Sequence, residues 1–186
     1  SLLWIYLLFC QIYFKEFSVM RKYFYCLLIL LIACDTEQKD STKNYISYVN
    51  PMVGTKNMGH TFPGATTPFG MVQLSPTTNI QPLLKDGKYN KETYRYCSGY
   101  QFEDTLIYGF AHTHFSGTGH SDLGDFLLMP VIGKLKLNNN QSTFLHENEI
   151  AEAGFYSVKL EKYNILAELT SSDRVGFHKY TFPETD

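Results

Sequence analysis

Apolar and polar residues alternate along the C-terminal third of the chain, in short segments separated by turn-forming residues. The clearest segments cover residues 154–160, 165–170 and 175–182. Alternation with a period of two is typical of β-strands that bury one face. Because no long stripe of helical periodicity accompanies these segments, the pattern predicts an all-β fold, namely an antiparallel β-sandwich.

Upstream, Pro and Gly occur so frequently that only short strands fit between them. Residues 45–49 and 71–74 are predicted to be short strands. Residues 125–133 are mostly apolar and predict a buried strand interrupted at Pro130. Residues 79–95 are polar and irregular, and they predict a long loop.

The N-terminus has the composition of a targeting segment. Residues 1–19 are apolar and aromatic and precede the first plausible initiator, Met20, so we interpret them as upstream sequence translated by mistake. Residues 20–33 combine a basic start with a short apolar run and a small residue before Cys34, which predicts a lipoprotein signal peptide. A pair of membrane helices over residues 1–14 and 20–33 is the alternative, although both segments are short for a bilayer.

Cys34 is then expected to be the lipidated first residue of the mature protein, which would place it at the bacterial cell envelope. Residues 34–44 are polar after the cysteine and predict a solvated tether. The folded domain would cover residues 45–186. Within it, Cys97 is the one cysteine, so no internal disulfide can form.

Length and charge narrow the classes of function. With 186 residues, the chain allows one domain plus a targeting segment. The formal net charge of -2 gives no reason to expect nucleic acid as a partner.

The candidate chemistry is concentrated in residues 109–124, which hold three histidines, four glycines and the carboxylate of Asp122. His112 and His114 are two residues apart, so on a strand their side chains would project from the same side. Glycines at 117 and 119 permit positive φ or a close approach to a ligand.

Three interpretations of this segment remain open. It could hold a zinc ion through His112, His114, His120 and Asp122. It could be a Gly-rich loop whose histidines bond to its own backbone. It could also line a subsite for a polar small molecule such as a sugar.

Three segments, residues 50–55, 59–76 and 109–130, together resemble the N-terminal domain of glycoside hydrolase family 92. The resemblance covers about residues 45–186. It departs from the family pattern at Ala111, Phe115 and His120. The family consists of bacterial, calcium-dependent, inverting exo-α-mannosidases, many of which act on N-glycans.

The resemblance implies a galactose-mutarotase-like β-sandwich that precedes an (α/α)6 barrel, with the active site in the cleft between them. The barrel would supply the general acid, the general base and the calcium ligands. We therefore expect the present chain to be a fragment that is inactive alone. A freestanding carbohydrate-binding lipoprotein without catalysis is the alternative.

The expected partners are mannose-containing glycans, the C-terminal barrel of the same protein and, through the lipid anchor, a membrane. The residues predicted to bind the sugar are His60, His112, His114, Ser116, His120 and Asp122, with Gly59, Gly117 and Gly119 shaping the loops.

Overall fold

A computed structural model describes residues 44–117, 120, 122–136 and 138–184. The predicted signal peptide, Cys34 and Gly119 lie outside the described residues. The strands are β1 (Ser75–Thr77), β2 (Leu84–Lys85), β3 (Lys88–Tyr89), β4 (Leu106–Ile107), β5 (Gly109–Ala111), β6 (Leu127–Leu128), β7 (Ser142–Thr143), β8 (Ile150–Glu152), β9 (Phe155–Leu160), β10 (Ile165–Ser171) and β11 (Gly176–Thr181). One short α-helix, α1 (Glu92–Arg95), and two 3-10 helices, Tyr45–Tyr48 and His146–Asn148, complete the described elements.

The largest sheet is antiparallel, with the strand order β11-β10-β9-β8. Its central strand β10 alternates strictly, because Ile165, Ala167 and Leu169 are buried while Leu166 and Thr170 are exposed. This is the period-two pattern expected of a strand that buries one face. The three C-terminal strands predicted from alternation are therefore confirmed.

A second antiparallel sheet has the order β1-β5-β6. Strand β5 lies in its centre, where Phe110 pairs with Pro76 of β1 and with Leu128 of β6. Side chains from both sheets enter one hydrophobic core, which includes Phe110, Tyr156 and Leu169. Two antiparallel sheets that share a core define a β-sandwich, as the sequence predicted.

The prediction of a first strand at residues 45–49 is wrong. The segment forms a 3-10 helix, since the side chain of Asn44 accepts a hydrogen bond from the Ile46 amide at 3.1 Å. A local side-chain acceptor of this kind stabilises a turn where no neighbouring strand is available.

The predicted strand at residues 71–74 is displaced toward the C-terminus. The amides of Met71 and Gln73 donate to the carbonyls of Asp173 and His112, at 2.7 and 2.8 Å. These hydrogen bonds connect residues 71–73 to loops. The paired strand β1 begins only at Ser75.

The predicted buried strand at residues 125–133 is also largely wrong. Only Leu127 and Leu128 pair, both with β5, and Phe126 is 73% exposed. An apolar run does not by itself indicate burial, and β6 has a neighbour on one side only.

The segment 79–95 is more ordered than a long loop. Asp86 and Gly87 both have positive φ, 54° and 72°, and connect β2 to β3 as a two-residue hairpin. Helix α1 follows directly. Asp-Gly is a recognised hairpin signal that could have predicted this turn. In the part of the chain that the structure describes, no helix is long and apolar enough to cross a membrane.

Candidate functional site

The loop at Ser116 and Gly117 is attached to two other segments of the chain by hydrogen bonds. The Gly117 amide donates to the backbone carbonyl of His60 at 2.7 Å. The Ser116 hydroxyl donates to Oε1 of Gln73 at 2.8 Å. Gly117 has φ of +80°, and a β-carbon placed there would meet no atom of the described residues within 4 Å. Two hydrogen bonds thus fix the loop, and no described residue fills the space next to Gly117.

His60 is held in an uncommon backbone conformation, with φ of +53°. Its ring is buried and meets the edge of Tyr94 with the ring centroids 4.7 Å apart. Its Nε2 is buried and has no hydrogen-bond partner among the described residues. Next to it, a β-carbon on Gly59 would overlap the carbonyl oxygen of Gly54, which explains the need for glycine.

His112 contacts a histidine that the sequence analysis did not single out. Its Nε2 lies 3.2 Å from Nε2 of His178 on β11, and Nδ1 of His178 lies 2.7 Å from the hydroxyl of Tyr180. Burial lowers the pKa of His178, and the neighbouring His112 lowers it further. Burial raises the pKa of Tyr180 to about 12. The three side chains form a polar row in which His178 favours the neutral form.

His114 has different surroundings. Its Nε2 lies 3.4 Å from Oγ1 of Thr77, and its ring lies against the α-carbons of Gly99 and Gly124. Burial lowers the pKa of His114 to about 4. The ring forms part of the wall of a small polar cavity of about 150 Å³ that also includes Tyr96.

The expectation that His112 and His114 act from one side of a strand is wrong. Strand β5 ends at Ala111, so both histidines follow the strand, and they contact separate partners. His120 and Asp122 form an exposed pair, with Nδ1 and Oδ2 3.3 Å apart. Within the described residues, no group of three or more His, Cys, Asp or Glu side chains could hold a metal ion. The zinc site proposed on His112, His114, His120 and Asp122 is therefore not assembled there.

The structure brings together only part of the predicted set. The Gly117 amide bonds to the His60 carbonyl. The adjacent Ser116 hydroxyl bonds to Gln73, a residue that the sequence analysis did not single out. The available signal for Gln73 was a polar residue between the apolar Val72 and Leu74. His112 and His114 contact other residues, namely His178 and Thr77.

A second missed feature is the buried carboxylate of Glu149, whose side chain is 3% exposed. It accepts hydrogen bonds from the hydroxyls of Tyr100 and Tyr156, and Nδ1 of His146 contacts its Oε2. Burial and then the Glu149 charge raise the pKa of both tyrosines. His146 in turn stacks on Phe102, with the centroids 4.2 Å apart. The acidic segment around Glu149 does not indicate its burial, because one of its partners, Tyr100, is 49 residues away in the sequence.

Comparison with known proteins bears on the family and the fold of the chain. Residues 48–186 match the model of the glycosyl hydrolase family 92 N-terminal domain. The family GH92 α-mannosidase BT3965 from Bacteroides thetaiotaomicron, solved with mannoimidazole, is 39% identical with a TM-score of 0.67. The match covers 76% of the present chain and 18% of that chain.

Two other relatives extend the comparison. The GH92 inverting mannosidase BT2199 from the same organism is 25% identical with a TM-score of 0.56, over 75% of this chain and 18% of its own. A protein of Arthroderma benhamiae described as an uncharacterized secreted glycosidase is 30% identical over 76% of this chain and 18% of its own.

The β-sandwich and the matched motifs therefore define the class of protein, the N-terminal β-domain of a glycoside hydrolase. The chain belongs to glycosyl hydrolase family 92. It spans less than a fifth of the length of the relatives described above.

Proposed function

We propose that this domain forms one wall of the substrate cleft in an enzyme that removes α-linked mannose from glycans by an inverting mechanism. The observation that carries the proposal is the loop at Ser116 and Gly117, which is fixed by His60 and Gln73 and has no described residue in the space next to Gly117. The relationship to BT3965, whose structure holds mannoimidazole, supports a mannoside as the ligand.

Hydrolysis with inversion needs a protonated carboxylic acid at the leaving oxygen and a second carboxylate that activates water. Three of the candidate carboxylates have other partners. Asp104 accepts from Thr78 and Tyr96, Glu103 lies 3.5 Å from Arg95, and Asp122 pairs with His120. The acid and the base are therefore assigned to the C-terminal (α/α)6 domain, which is the expected partner of this one.

Calcium prefers six to eight oxygen ligands, most of them carboxylates and carbonyls. The described residues contain no cluster of carboxylates that meets this requirement. In our proposal the C-terminal domain binds the calcium, and the present residues only position the glycan. Lipidation at Cys34 would hold the enzyme at the bacterial cell envelope.

The test is a binding measurement on the purified full chain with methyl α-mannoside as the probe, by saturation-transfer NMR. We expect saturable binding that methyl β-glucoside does not reproduce. Gly117→Leu should weaken the binding at least tenfold, because the new side chain would occupy the space next to the loop. Gly133→Leu is the matched control, since Gly133 also has a positive φ, +83°, and free space around it.

An activity assay on the same protein complements the binding measurement. The chain alone should not hydrolyse an aryl α-mannoside, with or without added calcium. Turnover by the chain alone would contradict the assignment of the acid and base to another domain. Failure of methyl α-mannoside to bind, or equal effects of the two glycine substitutions, would contradict the cleft assignment itself. Binding by a product that naturally lacks a catalytic domain would favour the freestanding carbohydrate-binding lipoprotein.

A further inference from the structure

His112 and His178 come from different sheets of the sandwich and meet through the same ring atom. His112 directly follows strand β5 of the second sheet, and His178 lies on β11 at the edge of the largest sheet. Their Nε2 atoms are 3.2 Å apart. A direct hydrogen bond between neutral imidazoles would use one ring as donor and the other as acceptor. Two Nε2 lone pairs can instead bind one metal ion.

The geometry of the two rings fits ligands of a single ion. Zinc–nitrogen distances are about 2.0–2.1 Å, so two nitrogens 3.2 Å apart subtend about 100° at a shared ion. This angle is close to the tetrahedral geometry that zinc prefers. The ring centroids are 5.0 Å apart, closer than in two rings aimed straight at each other at this nitrogen distance. The rings therefore meet at an angle, as two ligands of one ion do.

Gly176, the first residue of β11, makes room for the His112 ring. A β-carbon built on Gly176 would lie 2.7 Å from Cδ2 and 2.8 Å from Nε2 of His112. The φ of Gly176 lies outside the left-handed region, so the backbone does not require glycine there. Nδ1 of His112 is buried and has no hydrogen-bond partner among the described residues. Nε2 is thus the nitrogen of His112 that a ligand can reach.

Tyr180 orients the other histidine. Its hydroxyl lies 2.7 Å from Nδ1 of His178, and it can accept a hydrogen bond from that nitrogen when Nε2 binds a metal. Metal-binding histidines usually donate from their second nitrogen in this way. Burial lowers the pKa of His178, which favours the neutral ring that metals require. The adjacent Lys179 projects from the opposite face of β11 and pairs with Glu168 at 2.7 Å.

We infer that His112 and His178 bind one divalent ion of the zinc, nickel and copper class and thereby join the two sheets. Imidazole nitrogens suit these metals, whereas calcium takes oxygen ligands. Both side chains are partly exposed, so water molecules can complete the coordination. Since the protein supplies only two ligands, the affinity depends on both histidines. This ion is separate from the calcium that the C-terminal domain would bind in the proposed function.

The test uses the purified full chain without a polyhistidine tag, and zinc chloride is the probe. Calorimetry near pH 7 should show one zinc ion bound per chain, and excess calcium chloride should not compete. NMR of the histidine rings, which needs no variant, should show that zinc shifts the His112 and His178 resonances together. His178→Gln should weaken zinc binding at least tenfold, because a single imidazole remains.

Thermal unfolding gives a second readout. A ligand that binds only the folded protein raises its unfolding temperature. Zinc should therefore raise the unfolding temperature of the wild type and leave that of His178→Gln unchanged. Tyr180→Phe keeps both ligands and removes the hydroxyl, so it should weaken zinc binding by a smaller factor than His178→Gln. Circular dichroism of each variant checks the fold.

One further variant tests the strongest competing site. His120 is exposed and lies 3.3 Å from Asp122, so this pair could also attract a cation. His120→Gln should change the zinc affinity less than twofold.

The outcomes decide between these sites. One zinc ion per chain, with shifts at both His112 and His178 and no stabilisation by zinc in His178→Gln, supports the inference. The inference is wrong if the wild type binds no zinc, or if His178→Gln binds it as tightly as the wild type. It is equally wrong if His120→Gln abolishes the binding. Mannoside binding by the same protein is a separate measurement, and its failure would contradict the cleft assignment without affecting the metal site.

Discussion

Gly99 and His114 are in contact so close that no side chain fits between them. A β-carbon built on Gly99 would overlap the imidazole of His114 at Nε2, and the φ of Gly99 is +81°. The carbonyl oxygen of Gly99 also accepts a hydrogen bond from the Thr78 amide at 2.8 Å. This bond limits how far the Gly99 backbone can move away from His114. The pair joins the segment after α1 to the segment after β5.

Substitution of Gly99 tests this contact. Gly87→Ala serves as a control, because Gly87 has a similar φ of +72° and nothing within 4 Å of a built β-carbon. The control should lose about 1 kcal/mol of unfolding free energy through backbone strain. Gly99→Ala should lose about 1–3 kcal/mol more, because the imidazole must shift within a packed site. Urea denaturation measures both, and equal losses would show that the contact is not limiting.

The pKa of His114, lowered to about 4 by burial, predicts acid sensitivity. Below about pH 6.5 the unfolded chain protonates this histidine, whereas the folded protein does not until about pH 4. Stability that is present above pH 6.5 is therefore lost as the pH falls toward 4. The loss is at most about 3–4 kcal/mol, since each pKa unit corresponds to about 1.4 kcal/mol. His178, whose pKa is also lowered, contributes in the same direction.

The measurement is the unfolding free energy at a series of pH values between 7 and 4 for the wild type and for His114→Gln. The variant should be less stable at pH 7 and should show a shallower decline with acid. An identical decline in the two proteins would assign the pH dependence to other groups. NMR titration of the His114 ring protons gives the midpoint directly.

The buried Glu149 carboxylate should contribute strongly to stability. Glu149→Gln replaces one acceptor oxygen with an amide that faces hydroxyls and the His146 ring, so bonds from Tyr100 or Tyr156 are lost. We expect a loss of about 2–4 kcal/mol, as is usual when one partner of a buried charged network is removed. Glu147→Gln, at an exposed position two residues away, should change stability by less than about 0.5 kcal/mol. Comparable losses would contradict the role of the buried network.

The lipid anchor is a separate prediction from the sequence. In a bacterial host, the chain should incorporate labelled palmitate, and Cys34→Ala should abolish the label. Cys26→Ala is the control, because Cys26 lies within the apolar run of the predicted signal peptide and should not affect labelling. Label retained in Cys34→Ala would exclude lipidation at that residue.

The sequence predicts best the strands that can be recognised from the alternation of their own residues. Residues in β10 and β11 alternate between more and less buried positions, so a period of two appears directly in the sequence. Residues 125–133 show the limit of this approach. Their apolar character predicts burial, whereas the exposure of Phe126 depends on where the sheet ends.

The sequence by itself determined the family, through ordered segments rich in Gly, Pro and His, and the all-β class, through short alternating strands. Only the tertiary structure decided which side chains meet. His112 contacts His178, which is 66 residues away in the sequence. Glu149 accepts a hydrogen bond from Tyr100, which is 49 residues away. Spacing along a chain specifies neighbours on one strand or turn, but contacts between distant segments depend on how the two sheets pack, and no local pattern carries that information.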